Sequence, residues 1–216
     1  MADDFKYFLF DWDGCLADSL SIWMAVYSGV YTSYGVAATI PEIVEKSWGN
    51  LEQGPLNFRI PNHRKVWDEI VHKVAEKMKT VELFKGAKEL LQDLRKQGKK
   101  VAIVTSSRRA IVEPAIKFHG IDRLLDFLIT EQEVSKPKPD PEILNTALVE
   151  LGGAGEKDQA VIIGDSDKDI YAGKAANIHT VLVLHPENQV YYSFADLKKS
   201  KPDFIIESFA ELNSSK

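Results

Sequence analysis

The sequence predicts an α/β fold: a Rossmann-like parallel sheet with helices on both faces, plus an inserted all-helical cap subdomain. Three observations carry this prediction. Short apolar runs alternate with helical patterns along most of the chain, the order that builds a parallel sheet covered on both sides. One stretch, from about Leu16 to Thr80, breaks the alternation and shows helical patterns only. The length of 216 residues corresponds to about one and a half domains of ordinary size, room for one main domain and a modest insertion. The expected boundaries are residues 1–15 and 81–216 for the core and 16–80 for the insertion.

The first strand is Lys6–Phe10, dense in Tyr, Phe and Leu and long enough only for a buried strand. Val101–Thr105, Phe127–Thr130, Val161–Gly164, Thr180–Leu184 and Phe204–Ile206 read the same way. Within the insertion, Leu20, Trp23, Val26, Tyr27 and Val30 form one amphipathic stripe that ends near Gly35. Thr39-Ile40-Pro41-Glu42 looks like a helix start, and Asn62 can cap a third helix in which Val66, Ile70, Val74 and Met78 recur every fourth residue. Between these lies Trp48–Pro55, a loop rich in turn formers. In the core, Gly86–Gln97 is helical with Gly98 as its stop. Pro114 predicts a kink or two short helices after Arg109. Asp140-Pro141 opens a helix that runs to about Leu151, the glycine run at 152–155 reads as a surface loop, and Lys168–Ala176 is a shorter helix.

Composition narrows the function classes. With 44% hydrophobic and 27% charged residues, the chain is neither disordered nor low-complexity. A net charge of -5 argues against a dedicated nucleic-acid binder, which usually carries a basic excess. The single cysteine, Cys15, excludes an internal disulfide framework and a multi-cysteine metal cluster. No apolar stretch approaches the ~20 residues that span a membrane, and no segment reads as a targeting signal. The expectation is a cytoplasmic protein, and its oligomeric state stays open.

The chemistry is written at strand ends. Phe8-Leu9-Phe10-Asp11-Trp12-Asp13-Gly14 places two carboxylates just beyond a buried strand, where ligand sites of open α/β sheets lie. Three further strands end in polar clusters: Thr105-Ser106-Ser107 with Arg108 and Arg109, Ser135-Lys136-Pro137-Lys138-Pro139-Asp140, and Asp165-Ser166-Asp167-Lys168-Asp169. If the strands are adjacent and parallel, one rim holds several acids, a hydroxyl-rich turn and a lysine. Clustered carboxylates raise one another's pKa unless a cation intervenes. Oxygen ligands of this kind suit Mg²⁺, which takes few carboxylates together with a substrate phosphate. An aspartate in such a rim can attack phosphorus, and a second carboxylate can act as general acid and base.

On these motifs the chain resembles the haloacid dehalogenase superfamily, on its phosphatase branch with a small helical cap. Phosphoglycolate phosphatase-like and β-phosphoglucomutase-like enzymes are the similar subgroups. The resemblance covers nearly the whole chain through four ordered motifs. It implies a Mg²⁺-dependent phosphatase acting on a small phosphorylated metabolite, with Asp11 as nucleophile and Asp13 as general acid/base. It implies that Thr105 and the backbone near Ser106 bind the transferring phosphoryl group and that Lys136 bridges it to the nucleophile. It further implies metal ligation by Asp165, the Asp11 side chain and the Asp13 backbone carbonyl, with Asp169 supporting the metal directly or through water. Asn50 in the cap loop and Arg108 beside the phosphate turn are candidate substrate contacts. Arg59, His63 and Arg64 read as a solvated face. The sequence departs from the family's pattern at Cys15, where threonine is common, and at Lys85, where proline is common. Cys15 is then a packing residue, or a redox-sensitive thiol were its pKa lowered. The other readings are a phosphomutase and, from a different class, a phospho-aspartate signalling switch without turnover. A catalytically silent scaffold is disfavoured, since an idle site has no physical need for so much clustered charge.

Overall fold

The structure is a computed structural model that describes residues 2–48 and 53–213. Its centre is one parallel sheet of β1 (Tyr7–Phe10), β2 (Lys100–Thr105), β3 (Phe127–Thr130), β4 (Ala160–Gly164), β5 (His179–Val183) and β6 (Phe204–Ile206), in the order β3-β2-β1-β4-β5-β6. β1 pairs with β2 on one side and β4 on the other, with Phe10 aligned on both Ile103 and Ile163. The chain reverses direction of growth across β1, so the ends of β1, β2 and β4 frame the crevice where α/β folds bind ligands. The polar clusters after those strands therefore stand side by side on one rim.

Over β1, β2, β4 and β5 the sheet is buried on both faces, and its side chains alternate between two cores. Phe8 and Phe10 of β1 point into one, while Tyr7 and Leu9 point into the other, as the two-residue strand period requires. Helices α5 (Ala87–Lys96) and α6 (Arg109–His119) contribute Leu90, Leu91, Leu94, Ile111 and Val112 to the first core. Helix α7 (Glu142–Glu150) and helix α8 (Asp167–Ala176) contribute Ile143, Leu144, Ala147 and Ala172 to the second. Gly173 lets α8 lie directly on the sheet, because a Cβ there meets Ile162 at 2.5 Å and Thr180 at 2.6 Å.

The insertion between β1 and β2 is helical: α1 (Leu20–Ser33), α2 (Ile40–Lys46), α3 (Gly54–Asn57) and α4 (His63–Met78). It joins the core through two chain segments that run alongside each other. Asp18 N–H donates to Glu82 O, Phe84 N–H donates to Leu16 O, and Ala17 bridges Leu83 antiparallel. The buried faces of α1 and α4, with Trp23, Tyr27, Val66, Ile70 and Val74, belong to the same apolar cluster as Phe8 and Phe10. Cap and core thus share one continuous packing.

Local signals mostly operate as expected, and the exceptions have causes. The Thr39–Glu42 capping box starts α2, and Asp140 Oδ1 accepts from Glu142 N–H at the head of α7. Asn62 precedes α4 in the left-handed region (φ 54°) and its side chain makes no capping hydrogen bond. Its left-handed backbone, which asparagine tolerates, serves the turn instead. Helix α6 is one uninterrupted helix with Pro114 inside it, not two short ones. Ala115 and Ile116 continue its buried face past the proline, so packing outweighs the lost backbone bond. Of the glycine run at 152–155, Gly153 is not at the surface; it is buried against the Tyr7 ring. The C-terminal part adds short turns, among them α9 (Phe194–Leu197) and α10 (Ala210–Asn213). No helix among the described residues is long and apolar enough to cross a membrane.

Candidate active site

The rim carries a buried charge cluster. Asp11 follows β1, and its backbone N–H still donates to Ile163 O of β4 at 2.9 Å. One carboxylate oxygen each from Asp11, Asp165 and Asp169 lies within 4.8 Å of the others, and all three residues are buried. Lys138 enters this cluster: its Nζ lies 2.9 Å from Asp11 Oδ1 and 2.7 Å from Asp169 Oδ1, and it also donates to Val104 O. The contact with Asp11 is an ion pair set off the hydrogen-bonding direction, because Asp11 Oδ1 has no hydrogen-bond partner of its own.

Three buried acids around one ammonium leave excess negative charge, and the ionisations respond. Burial pushes the Asp11 carboxyl up to about 7; Lys138 opposes the shift, and Asp169 and Asp13 add to it. Burial, with Asp11 and Asp169 as neighbours, raises Asp165 well above the carboxylate range. For Lys138 burial disfavours the charge, but Asp11 and Asp169 outweigh it and raise the ammonium above the ordinary lysine value.

Asp13 belongs to a different network. Its Oδ1 accepts from Ser19 Oγ and Trp23 Nε1, both at 2.7 Å, and its Oδ2 accepts from Ser107 Oγ at 2.5 Å. Ser19 stands at the start of α1 and Trp23 one turn inside it, so two of the three donors come from the cap side. Ser107 lies in the turn after β2. Thr105, at the end of β2, is buried, and its Oγ1 accepts from Ser107 N–H at 3.0 Å, leaving the hydroxyl proton free to donate.

Gly14 lets these groups approach. At φ 72° it holds the left-handed turn between the two aspartates and α1, and a Cβ there sits 2.1 Å from Asp165 Oδ2. The turn is pinned from below: Asn188 Nδ2 donates to Gly14 O, and His185 Nε2 bonds Cys15 O. Cys15 is fully buried, its thiol donates to Ile163 O at 3.4 Å, and burial raises its pKa well above the usual value. It packs, and the redox reading loses its basis, because reactive thiols need a lowered pKa and access.

The structure brings Asp11, Asp13, Thr105, Ser106 and Asp165 to one cavity of about 390 Å³. It does not bring Lys136 there. That side chain is 71% exposed and faces Asp140 at 3.7 Å, while its backbone N–H donates to Glu142. Lys138 occupies the position expected of Lys136. The sequence Lys136-Pro137-Lys138-Pro139-Asp140-Pro141 contains Lys-Pro-x-Pro in two overlapping registers, and only the chain's path over the rim selects the second. Arg108 does not line the cavity; its guanidinium lies 5.5 Å from the Trp67 ring centre of α4. Arg59, His63 and Arg64 are exposed. Asn50 lies outside the described residues. Asp169 is in the cluster, but both its oxygens are engaged, Oδ1 by Lys138 and Oδ2 by Ser166 N–H and Oγ. Ser19, Trp23 and Ser107 were legible only as helix and turn residues, since nothing local shows that they converge on Asp13.

The profile of the haloacid dehalogenase-like hydrolase family matches residues 8–183. The chain belongs to that family. This haloacid dehalogenase-like hydrolase is an enzyme of the phosphatase type, as its resemblance implied. It is 28% identical over 212 residues to pyrophosphatase PpaX of Halalkalibacterium halodurans, covering 94% of this chain and 93% of the relative. Its fold matches the crystal structure of a predicted phosphoglycolate phosphatase of Haemophilus somnus 129PT at TM-score 0.80 and 23% identity, over 97% and 96% of the two chains. It also matches CbbY of Rhodobacter sphaeroides in complex with xylulose-(1,5)bisphosphate at TM-score 0.79 and 21% identity, over 97% and 96%.

Proposed function

We propose that the protein is a Mg²⁺-dependent phosphatase that hydrolyses a small phosphomonoester through a phosphorylated Asp11. The observation that carries the reading is the Asp11 carboxylate, ion-paired to buried Lys138 at the floor of a cavity, with Asp13 held by three donors two residues further on. The residues fit a divalent cation. Asp165 Oδ2 is buried without a hydrogen-bond partner, and the three buried acids Asp11, Asp165 and Asp169 share a single ammonium, Lys138. Asp11 and Asp165 would hold the ion together with the Asp13 backbone carbonyl, and bound there it would neutralise charge on the phosphoryl oxygens. Asp169, with both oxygens engaged, acts through Lys138 and the Ser166 turn.

In the first step Asp11 attacks phosphorus, the P–O bond to the leaving group breaks, and Asp13 gives its proton to the leaving alkoxide. Oδ2 is the proton-transferring oxygen: Oδ1 accepts two hydrogen bonds, whereas the one partner of Oδ2 is the Ser107 hydroxyl, which rotates to accept when Oδ2 carries the proton. In the second step Asp13 takes a proton from water as the water attacks phosphorus. The bond to Asp11 then breaks and phosphate leaves. Lys138, the Thr105 hydroxyl and the Ser106 backbone supply donors to the phosphoryl oxygens. The cap, residues 16–80, covers the rim and excludes bulk water. Asp11→Asn tests the mechanism: it abolishes Mg²⁺-dependent phosphate release while the thermal unfolding transition persists, and retained turnover by this variant sinks it.

A further inference from the structure

The cavity has two unlike walls. On the core side are Asp11, Asp165, Thr105 and Lys138. The rest of the lining includes an aromatic and aliphatic group, Trp23, Trp48 and Tyr192 with Val44 and Leu197. Trp23 and Trp48 meet edge to face with ring centres 5.7 Å apart, and the Tyr192 hydroxyl is buried beside the Trp48 side chain. The charged residues on this second wall are acids, Glu45 and Asp196. The cations at the cavity both belong to the core side: Lys138 is committed to Asp11 and Asp169, and Lys168 sits in the first turn of α8 between Asp167 and Asp169. Other nearby cations are turned elsewhere, Arg108 over Trp67 and Lys46 over Phe58.

Resting on the phosphatase reading, we infer that the enzyme selects phosphomonoesters whose leaving group is an uncharged flat ring, of nucleoside size, over those whose leaving group is a second anion. Two physical arguments lead there. A leaving phosphate or carboxylate needs cationic or N–H partners once out of water, and the wall that receives it offers indole, phenol and aliphatic surface beside two acids. A flat ring gains stacking and apolar contact on that same wall. Size agrees: about 390 Å³ falls in the range of pockets that enclose drug-sized ligands, well beyond what glycolate or a single phosphate fills.

The test compares kcat/KM, with Mg²⁺ present, for nucleoside 5′-monophosphates and pyridoxal 5′-phosphate against pyrophosphate and phosphoglycolate, with glycerol 2-phosphate as a small uncharged reference. The expected result is a preference for the ring esters of about a hundredfold over the anionic pair. Trp48→Ala lowers kcat/KM for the ring esters by about tenfold more than for glycerol 2-phosphate. Glu45→Lys, at an exposed position that tolerates substitution, raises kcat/KM for pyrophosphate or phosphoglycolate by about tenfold. A wild-type preference for pyrophosphate or phosphoglycolate overturns the inference and leaves the phosphatase standing. Absence of hydrolysis of every ester, or hydrolysis undiminished in Asp11→Asn, overturns both.

Discussion

Lys136 and Lys138 are chemically identical, two residues apart and each followed by proline, yet their surroundings differ completely. Lys138 is buried between Asp11 and Asp169, whereas Lys136 is exposed beside Asp140. Removing one member of a buried ion pair leaves an uncompensated charge and costs about 3–5 kcal/mol, while exposed substitutions stay within about 0.5 kcal/mol. Lys138→Ala is therefore expected to lower the melting temperature clearly and to reduce kcat by about 10²–10³-fold, the cost of losing a transition-state donor. Lys136→Ala is expected to leave kcat within a factor of about two and the melting temperature within about two degrees, in the same assays. Equal effects of the two substitutions would contradict this placement. The same contrast applies to the two carboxylates of the first motif. Asp11 has a single buried cation and a raised pKa, and Asp13 has three hydroxyl and indole donors, so carboxylates two residues apart sit in unlike environments, in keeping with the distinct roles proposed for them.

At the scale of elements, the segment after β5 supports the catalytic turn. His185 stacks on Phe84 with ring centres 3.7 Å apart, and Phe209 lies edge-on at 5.1 Å. Its Nε2 bonds Cys15 O, next to the Asn188 contact with Gly14 O. Burial lowers the His185 pKa below its ordinary 6.5, opposed by the hydrogen bond to Cys15 and by Glu187. The folded state thus prefers the neutral ring. Its contribution to stability is complete above the unfolded pKa and is lost as pH falls below it toward the folded value. The raised Asp11 and Asp165 carboxyls act in the opposite sense over the same window in any variant, so the His185 contribution is read as a difference: the melting temperature of the native protein relative to His185→Gln, which keeps a donor without the titration, is expected to fall between about pH 7 and about pH 5. Parallel pH profiles for the two proteins, measured by differential scanning calorimetry, would remove His185 from this account.

For the whole molecule, the site gathers three buried acids around one ammonium, a repulsion that the proposed cation would relieve. Ligand binding to the native state alone stabilises by roughly 2.7 kcal/mol at a hundredfold excess over Kd, which for a chain of this size raises the melting temperature by roughly 5–10 °C. Mg²⁺ is expected to produce a shift of that order. Asp165→Asn is expected to remove the shift and to leave the metal-free protein at least as stable, because burial already disfavours the Asp165 carboxylate. A full Mg²⁺ shift in Asp165→Asn, measured by thermal unfolding with and without chelator, would exclude Asp165 as a ligand. Cap and core contribute one apolar cluster between them, so removing the insertion would expose a core face as well as the site.

The parallel sheet, the helical insertion and the acids at the ends of β1 and β4 were legible because each is encoded locally. Strand runs, helical periodicity and strand-end position are readable from a few neighbouring residues. Tertiary structure alone decided which lysine turns inward, that α6 continues through Pro114, and that Ser19, Trp23 and Ser107 converge on Asp13. It also decided that Asp169 is spent on Lys138 and Ser166 and that Trp23, Trp48 and Tyr192 form one wall. These are contacts between segments up to about a hundred and fifty residues apart in sequence, set by how the chain crosses the sheet's rim and not by any local preference.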